Sequence, residues 1–296
     1  MPRVAIILNA SSGPLQTTPA QLEPLLRSAG IEATVHCPQG EEKVDVIARS
    51  LVAGGVETVV AAGGDGTVSA VASVLVGSGS ALGILPLGTF NHLAKDLRIP
   101  LTLEGAVANL ASGVSRAIDV GEVNGRRFLN NLSIGVYPAF VEARGEARRL
   151  PKVLRYVKRA WAMLRVFRRL PQLWVHIDVD GQRLSRITPA VLVGNNEYRL
   201  DAPGAGTRST LSDGRLSLVI TRRRGPRGLI MQALRASLGR LRGSRDLDEL
   251  CGREITIRTS FGSIKVGIDG EIVRMKTPLR CRVLPGALRV IVPAEA

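Results

Sequence analysis

Over the first third of the chain, short apolar runs alternate with longer segments of helical periodicity. The apolar runs have the length and branched side chains of buried strands, and they occupy residues 3–8, 31–36, 57–62 and 81–86. The segments of helical period occupy residues 16–29, 43–53, 68–76 and 103–111. Strands and helices alternating in this way predict an α/β domain over residues 1–118, with a parallel sheet and helices on both faces.

From residue 115 the pattern changes to short strand-like runs separated by turns. Two pairs of runs flank Asn124-Gly125 and Asp180-Gly181, an arrangement typical of β-hairpins. The predicted strands are residues 117–123, 126–134, 174–179, 183–188, 190–193, 216–221, 254–259, 263–268, 271–275, 279–284 and 288–292. We therefore expect a larger, antiparallel β-rich domain over residues 119–296, and its last strand can return towards the first domain.

A helical insertion interrupts these strands over residues 142–172. Apolar side chains recur there at helical spacing, and arginine and lysine fill the opposite face. A basic amphipathic helix of this kind suits an anionic bilayer surface, where each nearby cation contributes about 1 kcal/mol. The same pattern is expected of a helix that packs on its own domain, and a second basic run, 222–245, has the same ambiguity.

Composition narrows the class of protein. Of 296 residues, 45% are hydrophobic but only 3% aromatic, so two cores must be built from aliphatic side chains. No apolar run reaches the roughly 18–20 residues that cross a bilayer, and the N-terminus lacks the features of a signal peptide. The three cysteines, Cys37, Cys251 and Cys281, are too scattered for a disulfide framework or a zinc site. We therefore expect a cytoplasmic protein.

The formal net charge of +15 predicts an anionic partner. Three kinds of partner fit this charge: nucleic acid, an acidic membrane surface and a nucleotide. Arginine on solvated faces, without any partner, is the alternative explanation of part of this charge. Aromatic side chains on which bases stack are scarce. We therefore expect no nucleic acid, and peripheral contact with an anionic membrane.

A glycine-rich corner, Gly63-Gly64-Asp65-Gly66-Thr67, joins the third predicted strand to the next helix. Glycines there let the backbone approach a bulky anion, and the N-terminus of the helix offers N–H groups to phosphate oxygens. The Asp65 carboxylate would repel phosphate unless a divalent cation lies between them, directly or through water. The alternative is an ordinary strand–helix corner in which Asp65 caps the helix.

A second corner follows the fourth predicted strand. Residues 86–96 place Gly88, the hydroxyl of Thr89 and the amide of Asn91 at the opening of another helix. Because neighbouring parallel strands end at the same edge of a sheet, the two corners would face each other across a crevice. This pairing favours a phosphate site over an isolated turn.

Together the two corners resemble the catalytic domain of diacylglycerol-kinase-type lipid kinases, including their sphingosine-kinase relatives and bacterial soluble members. NAD kinases and phosphofructokinases share the glycine motif. Residues 86–91 are therefore the motif that distinguishes the lipid kinases from those two families. Other motifs match in the same order over nearly the whole chain: Asn9-Ala10-Ser11-Ser12-Gly13, Ser212-Asp213-Gly214-Arg215-Leu216 and Ile268-Asp269-Gly270-Glu271. The resemblance implies an NAD-kinase/diacylglycerol-kinase-like fold.

The resemblance also implies that ATP binds in the cleft between the domains, with Mg²⁺ bridging its phosphates. The implied nucleotide-binding residues are Asn9, Cys37, Gly63, Gly64, Asp65, Gly66, Thr67, Val68, Ser69, Thr89 and Asn91. The chain departs from the family pattern at Ala10, at Ser69-Ala70 and at His92, where relatives often carry proline, Asn-Glu and aspartate. We therefore assign no catalytic role to His92.

Two acidic turns in the second domain receive a role from the resemblance. Asp213 matches the ligand of a structural magnesium ion, with backbone carbonyls near Thr210 and Arg215 completing the shell. Asp269 matches the proposed general base, which removes the proton of the lipid hydroxyl as that oxygen attacks the γ-phosphate. On pattern alone, Asp269-Gly270 is better explained as a type I′ hairpin turn, and only the resemblance reverses this; for Asp213-Gly214 a hairpin turn is the alternative.

These observations predict an ATP- and Mg²⁺-dependent lipid kinase acting on diacylglycerol or a related lipid. The alternatives are an NAD-kinase-like small-molecule kinase and a non-enzymatic basic protein that binds membrane or nucleic acid. Diacylglycerol, monoacylglycerol, sphingoid bases, ceramide and glycolipids all present a hydroxyl on an apolar anchor. The sequence therefore leaves the acceptor open, and it leaves a homodimer open as well.

Overall fold

The computed structural model describes residues 4–9, 17–39, 42–136, 138, 172–199, 207–208, 210–222 and 247–294. The motif residues 10–13 and nearly all of the predicted basic segments, 142–172 and 222–245, lie outside these ranges. The chain divides into two compact units. The first comprises Met1–Val120 with Leu284–Ala296, and the second comprises Gly121–Val283. No helix in the described ranges is long and apolar enough to cross a membrane.

The first unit is built on a parallel sheet whose strands are almost wholly apolar. Strands β1 (Val4–Leu8), β2 (Ala33–His36), β3 (Thr58–Gly63) and β4 (Ala81–Pro86) lie in the order β2-β1-β3-β4. The C-terminal part of β18 (Leu279–Val292) pairs with β4 in parallel, with Arg289 opposite Ala81. Side chains such as Ile6, Val60 and Leu82 are fully buried, as expected for a sheet covered on both faces.

The described residues of this unit contain five helices. They are α1 (Pro19–Ser28), α2 (Val44–Ala53), α3 (Asp65–Leu75), α4 (His92–Asp96) and α5 (Leu103–Ser112). Helix α2 packs with α3, and α1 packs with α5, which contacts β4. A Cβ atom at Gly83 would lie 2.6 Å from the Leu110 side chain, so the glycine allows α5 to approach the sheet closely.

The second unit is a β-sandwich. One layer has the antiparallel strand order β14-β13-β10-β7-β16-β17, formed by Leu247–Gly252, Leu216–Thr221, Ala190–Asn195, Asn131–Gly135, Ser263–Ile268 and Glu271–Lys276. The other contains β9 (Gln182–Thr188), β8 (Leu173–Val179), β15 (Glu254–Thr259) and the start of β18. Aliphatic side chains from both layers form a common core.

Short strands complete this unit. Strand β5 (Val114–Val123), which starts in the first unit, forms a hairpin with β6 (Arg126–Phe128), and β11 (Tyr198–Arg199) pairs with β12 (Thr207–Arg208). The hairpin turns Asn124-Gly125 and Asp180-Gly181 have positive φ at both residues, as a type I′ turn requires. The predicted fold class, a parallel α/β domain followed by an antiparallel β domain, is confirmed.

Two predicted strands have other limits in the structure. The run 126–134 is two strands, β6 and β7, because the N–H groups of Leu129 and Asn130 donate to the side chain of Asp269 instead of to a strand. The runs 279–284 and 288–292 are one strand, β18. Gly286 takes a φ of 58° within it and donates its N–H to the buried carboxylate of Asp119 at 2.9 Å. Strand β14 was not predicted at all.

Candidate functional site

The predicted nucleotide-binding residues of the first unit lie at the carboxyl edge of its sheet. Asn9 follows β1 and Cys37 follows β2, and the register pairs Ile7 with His36 at that edge. The glycine corner follows β3 and the second corner follows β4, with Gly63 opposite Pro86. The side-chain amide of Asn9 donates to the hydroxyl of Thr67 at 3.1 Å, which joins the end of β1 to the first turn of α3. The structure therefore brings these predicted residues together.

The two corners touch each other through glycine backbone. A Cβ atom at Gly88 would lie 2.6 Å from the Cα atom of Gly64. A Cβ atom at Gly63 would lie 2.6 Å from the hydroxyl oxygen of Thr67. A side chain at Gly88 would therefore collide with the first corner, and a side chain at Gly63 would collide with Thr67 within its own corner.

Asp65 ties the first corner to the second. Its carboxylate accepts the backbone N–H of Asn91 at 3.0 Å and that of His92 at 2.7 Å. Asp65 is the first residue of α3, but the helix that it caps is α4. The capping interpretation is therefore right in kind, although the capped helix belongs to the other corner. A role for Asp65 towards a metal ion stays a prediction.

Asn91 shapes its own loop. It has a φ of 52°, in the left-handed region that asparagine tolerates. Its side-chain oxygen accepts the N–H of Gly88 at 3.0 Å, and its amide donates to the Gly88 carbonyl at 2.9 Å. Thr89 and Gly66 are exposed, whereas Thr67 and Val68 are buried. The exposed groups at this edge include backbone and the side chains of Thr89, Phe90 and His92, and Ser69 is half-buried.

In the second unit, Asp213 is bound by protein donors. Its carboxylate accepts the side-chain amide of Asn196 at 2.7 Å and the N–H groups of Glu197 and Arg215, at 3.3 and 3.1 Å. The Arg215 carbonyl accepts the N–H of Asn196 at 3.0 Å. Thr210 accepts the N–H of Ser212 through its hydroxyl at 3.2 Å. Asp213 and Arg215 thus share one turn.

This turn offers a metal ion only oxygen ligands, a carboxylate and backbone carbonyls, which fit a hard cation that keeps several waters. The described residues contain no group of three or more acidic, histidine or cysteine side chains that suits a metal ion. Asn196, fully buried with a φ of 67°, was missed by the sequence analysis. The consecutive pair Asn195-Asn196 at the end of an apolar strand was the available signal.

The electrostatics around Asp213 extend to Cys251. Burial raises the pKa of the Cys251 thiol, and the nearby carboxylates of Glu197 and Asp213 raise it further. Ser217, which faces Cys251 in the strand register, donates its hydroxyl to the Asn196 carbonyl at 2.9 Å. The same carboxylates that disfavour a thiolate would favour a bound cation.

Asp269 occupies a type I′ turn between β16 and β17, with φ values of 46° at Asp269 and 89° at Gly270. Its half-buried carboxylate accepts three successive backbone N–H groups. The donors are Leu129 at 2.8 Å, Asn130 at 2.8 Å and Asn131 at 3.1 Å. Its own N–H donates to the Asn131 carbonyl at 3.0 Å. The hairpin prediction is thus right, and the carboxylate has a fixed orientation.

Comparison with known proteins gives two matches to family models. The model of the diacylglycerol kinase catalytic domain matches residues 3–123. The model of the YegS C-terminal NAD kinase beta sandwich-like domain matches residues 131–292.

Individual relatives agree with these models. A protein of Pseudomonas aeruginosa named probable lipid kinase YegS-like is 32% identical over 275 residues, which cover 90% of this chain and 87% of the relative. An uncharacterized protein of Synechocystis is 29% identical over 244 residues, which cover 80% of this chain and 55% of that protein. The crystal structure of a diacylglycerol kinase from Bacillus anthracis superposes with a TM-score of 0.72 at 20% identity, covering 99% of this chain and 97% of that one. At that identity, the last match supports the fold.

Proposed function

The chain belongs to the family of YegS-like lipid kinases with a diacylglycerol kinase catalytic domain, and we propose that it transfers the γ-phosphate of ATP to a hydroxyl group of diacylglycerol or a related lipid. One observation carries the proposal for this chain. The two glycine corners touch at Gly64 and Gly88, and Asp65 bonds both backbone N–H groups that open α4. The two corners therefore form one surface, and protein contacts alone hold it in shape.

The proposed nucleotide contacts follow from this surface. The N-terminus of α3 presents backbone N–H groups and the positive end of the helix dipole to the phosphates. Asn9, bonded to Thr67, and the half-buried Cys37 lie at the ends of the neighbouring strands, where they would contact the nucleotide. Mg²⁺ bound with the triphosphate would neutralise its charge. A structural Mg²⁺ would be held by Asp213 and the carbonyls of Thr210 and Arg215.

Asp269 is the proposed general base. Its carboxylate takes the proton of the lipid hydroxyl while the lipid oxygen forms a bond to the γ-phosphorus and the bond from that phosphorus to the ADP oxygen breaks. Proton transfer of this kind contributes about 10²–10⁴ in rate. The three backbone N–H groups that orient the Asp269 carboxylate support this role, because a base must be held in place to act.

The experiment is incubation of the protein with γ-labelled ATP, Mg²⁺, NAD and a total lipid extract, followed by identification of the labelled product. We expect chloroform-soluble label in the wild type. Asp269→Asn keeps one side-chain oxygen as acceptor for the N–H groups of Asn130 and Asn131 but loses the acceptor of the Leu129 N–H. It should lower turnover by about 10²–10⁴ while lipid association is retained.

Two results would contradict the proposal at different points. Label that stays in the aqueous phase as phosphorylated dinucleotide would replace the lipid by NAD as the acceptor. Unchanged turnover in the Asp269→Asn protein would remove Asp269 from the reaction and leave the kinase activity in place.

A further inference from the structure

Arg208 is a buried arginine whose guanidinium lies among acceptor oxygens, and only 7% of the residue is exposed. Its Nη1 atom donates to the Leu129 carbonyl at 2.5 Å and to the Asn195 carbonyl at 3.3 Å. Its Nη2 atom donates to the side-chain oxygen of Asn130 at 3.0 Å. The guanidinium carbon lies 5.7 Å from the centre of the Tyr198 ring. These contacts hold the charge in one orientation.

The segment 129–131 is bonded on two sides. Its three N–H groups donate to the carboxylate of Asp269, whereas the carbonyls of Leu129 and Asn130 accept from the side where Arg208 lies. The Leu129 carbonyl also accepts the side-chain amide of Asn195 at 3.1 Å. The Asn130 carbonyl accepts the Tyr198 hydroxyl at 2.9 Å and the Asn195 N–H at 2.9 Å. The segment therefore has few ways to move without breaking a bond to a buried partner.

Two peptide groups connect these sides. In the peptide between Leu129 and Asn130, the oxygen accepts from Arg208 and the N–H donates to Oδ1 of Asp269 at 2.8 Å. In the peptide between Asn130 and Asn131, the oxygen accepts from Tyr198 and the N–H donates to the same Oδ1 at 3.1 Å. Hydrogen bonds in a chain polarise one another, so a positive charge at the first oxygen strengthens the donor at the far end.

We propose that Arg208 is a positioning residue for Asp269, acting through the backbone of residues 129–131. Its guanidinium holds the peptide group between Leu129 and Asn130 and the Asn130 side chain, and this peptide group helps to fix the direction in which the Asp269 carboxylate points. The catalytic consequence rests on the proposed function, in which Asp269 accepts the lipid proton. The structural part, control of the 129–131 backbone, does not depend on it.

The first test is kinetic and compares Arg208→Met with Arg208→Lys. Methionine has a similar length but no donors, and we expect kcat to fall by about 10²-fold, the cost of a misplaced catalytic group. The KM for ATP should stay within about twofold, because uniform nucleotide binding is not altered. Lysine supplies one donor for the Leu129 carbonyl and should restore part of the loss. Wild-type kcat in the Arg208→Met protein would overturn the proposal.

The control is Arg222→Met, which removes another arginine of the second unit, one that bonds the carboxylate of Asp248. We expect it to keep the wild-type kcat. An equal loss of kcat in both variants would mean that Arg208 acts only through general stability, and this would also overturn the proposal.

The second test is amide hydrogen exchange over residues 129–131, and it requires no activity. In the Arg208→Met protein we expect the N–H groups of Asn130 and Asn131 to exchange about tenfold faster than in Arg222→Met. If Arg208→Met does not fold, the comparison is made with Arg208→Gln, which also removes the charge and the paired donors of the guanidinium. Unchanged exchange would refute the positioning role. A wild type with no lipid kinase activity would refute the proposed function alone, since the exchange result still decides the role of Arg208.

Discussion

At the scale of single residues, the contact between the two corners depends on the absence of side chains. Gly88 lies against the Cα atom of Gly64, and the Asn91 side-chain oxygen is also within 2.8 Å of where a Cβ atom at Gly88 would be. The backbone of Gly64 lies on one side, and the Asn91 side-chain amide, held by two hydrogen bonds to Gly88, lies on the other. Neither group can easily move aside. Gly66, in the same corner, has open space around its would-be Cβ atom.

This difference predicts that the same substitution destabilises the protein at Gly88 but has little effect at Gly66. Gly88→Ala should lower the free energy of unfolding by about 1–3 kcal/mol, because the new methyl group forces the corners apart. Gly66→Ala should change it by no more than about 0.5 kcal/mol, since alanine meets no atom there and favours the first turn of α3. Denaturant-induced unfolding of the two variants measures both values. Equal stabilities would show that the corners do not touch as described.

At the scale of secondary-structure elements, an ionic cluster links β9 with β14 and the end of β13. The buried carboxylate of Asp248 accepts from Arg186 at 2.9 Å and from Arg222 at 2.8 Å. The pKa of Asp248 lies below its usual range, mainly because of the hydrogen bond from Arg222. Arg186 lowers this pKa further, whereas burial of the carboxylate raises it. Both arginines are partly exposed, so the bonds are weakened by solvent.

The cluster predicts a pH-dependent difference between the wild type and Asp248→Asn. Because the folded pKa is depressed, the carboxylate stabilises the protein above the unfolded value of about 3.9, and the effect is lost as the pH falls through the folded pKa. At neutral pH we expect Asp248→Asn to cost about 1–2 kcal/mol in urea unfolding. The difference should shrink below about pH 4. Asp178→Asn, which removes the more exposed ion pair with Arg183, should change the free energy of unfolding by less. A difference in stability between the wild type and Asp248→Asn that does not depend on pH would contradict the prediction.

The elements also show what can be derived from a sequence of this kind. Apolar runs such as 81–86 and turn pairs such as Asp180-Gly181 are local signals, and the structure confirms them. The division of 126–134 at Leu129 is not a local property, because it depends on a carboxylate 140 positions away. The contacts of Asp65 with α4 and of Arg208 with Leu129 are of the same long-range kind. Residue types locate candidate chemistry, whereas the bonds that orient it come from tertiary structure.

At the scale of the whole molecule, the net charge of +15 remains the strongest general feature, and it supports a contact with anionic lipid that accords with the proposed substrate. Each basic residue near an anionic surface contributes about 1 kcal/mol, and this attraction is screened by salt.

We therefore expect the protein to sediment with vesicles that contain phosphatidylserine and much less with vesicles of phosphatidylcholine alone. Binding should be lost as the salt concentration approaches about 1 M, where the screening length is only about 3 Å. Equal binding to both kinds of vesicle, at all salt concentrations, would show that charge does not bring this protein to lipid.

Strand β18 has a consequence for how the protein is made. Its final residues pair with β4, and Leu284–Ala296 are part of the first unit. A nascent chain that has left the ribosome up to residue 123 therefore carries α3 and both glycine corners but still lacks the neighbour of β4. The first unit reaches its native set of strands only after β18 has been synthesised, so the surface formed by the two glycine corners is assembled late although its residues are synthesised early.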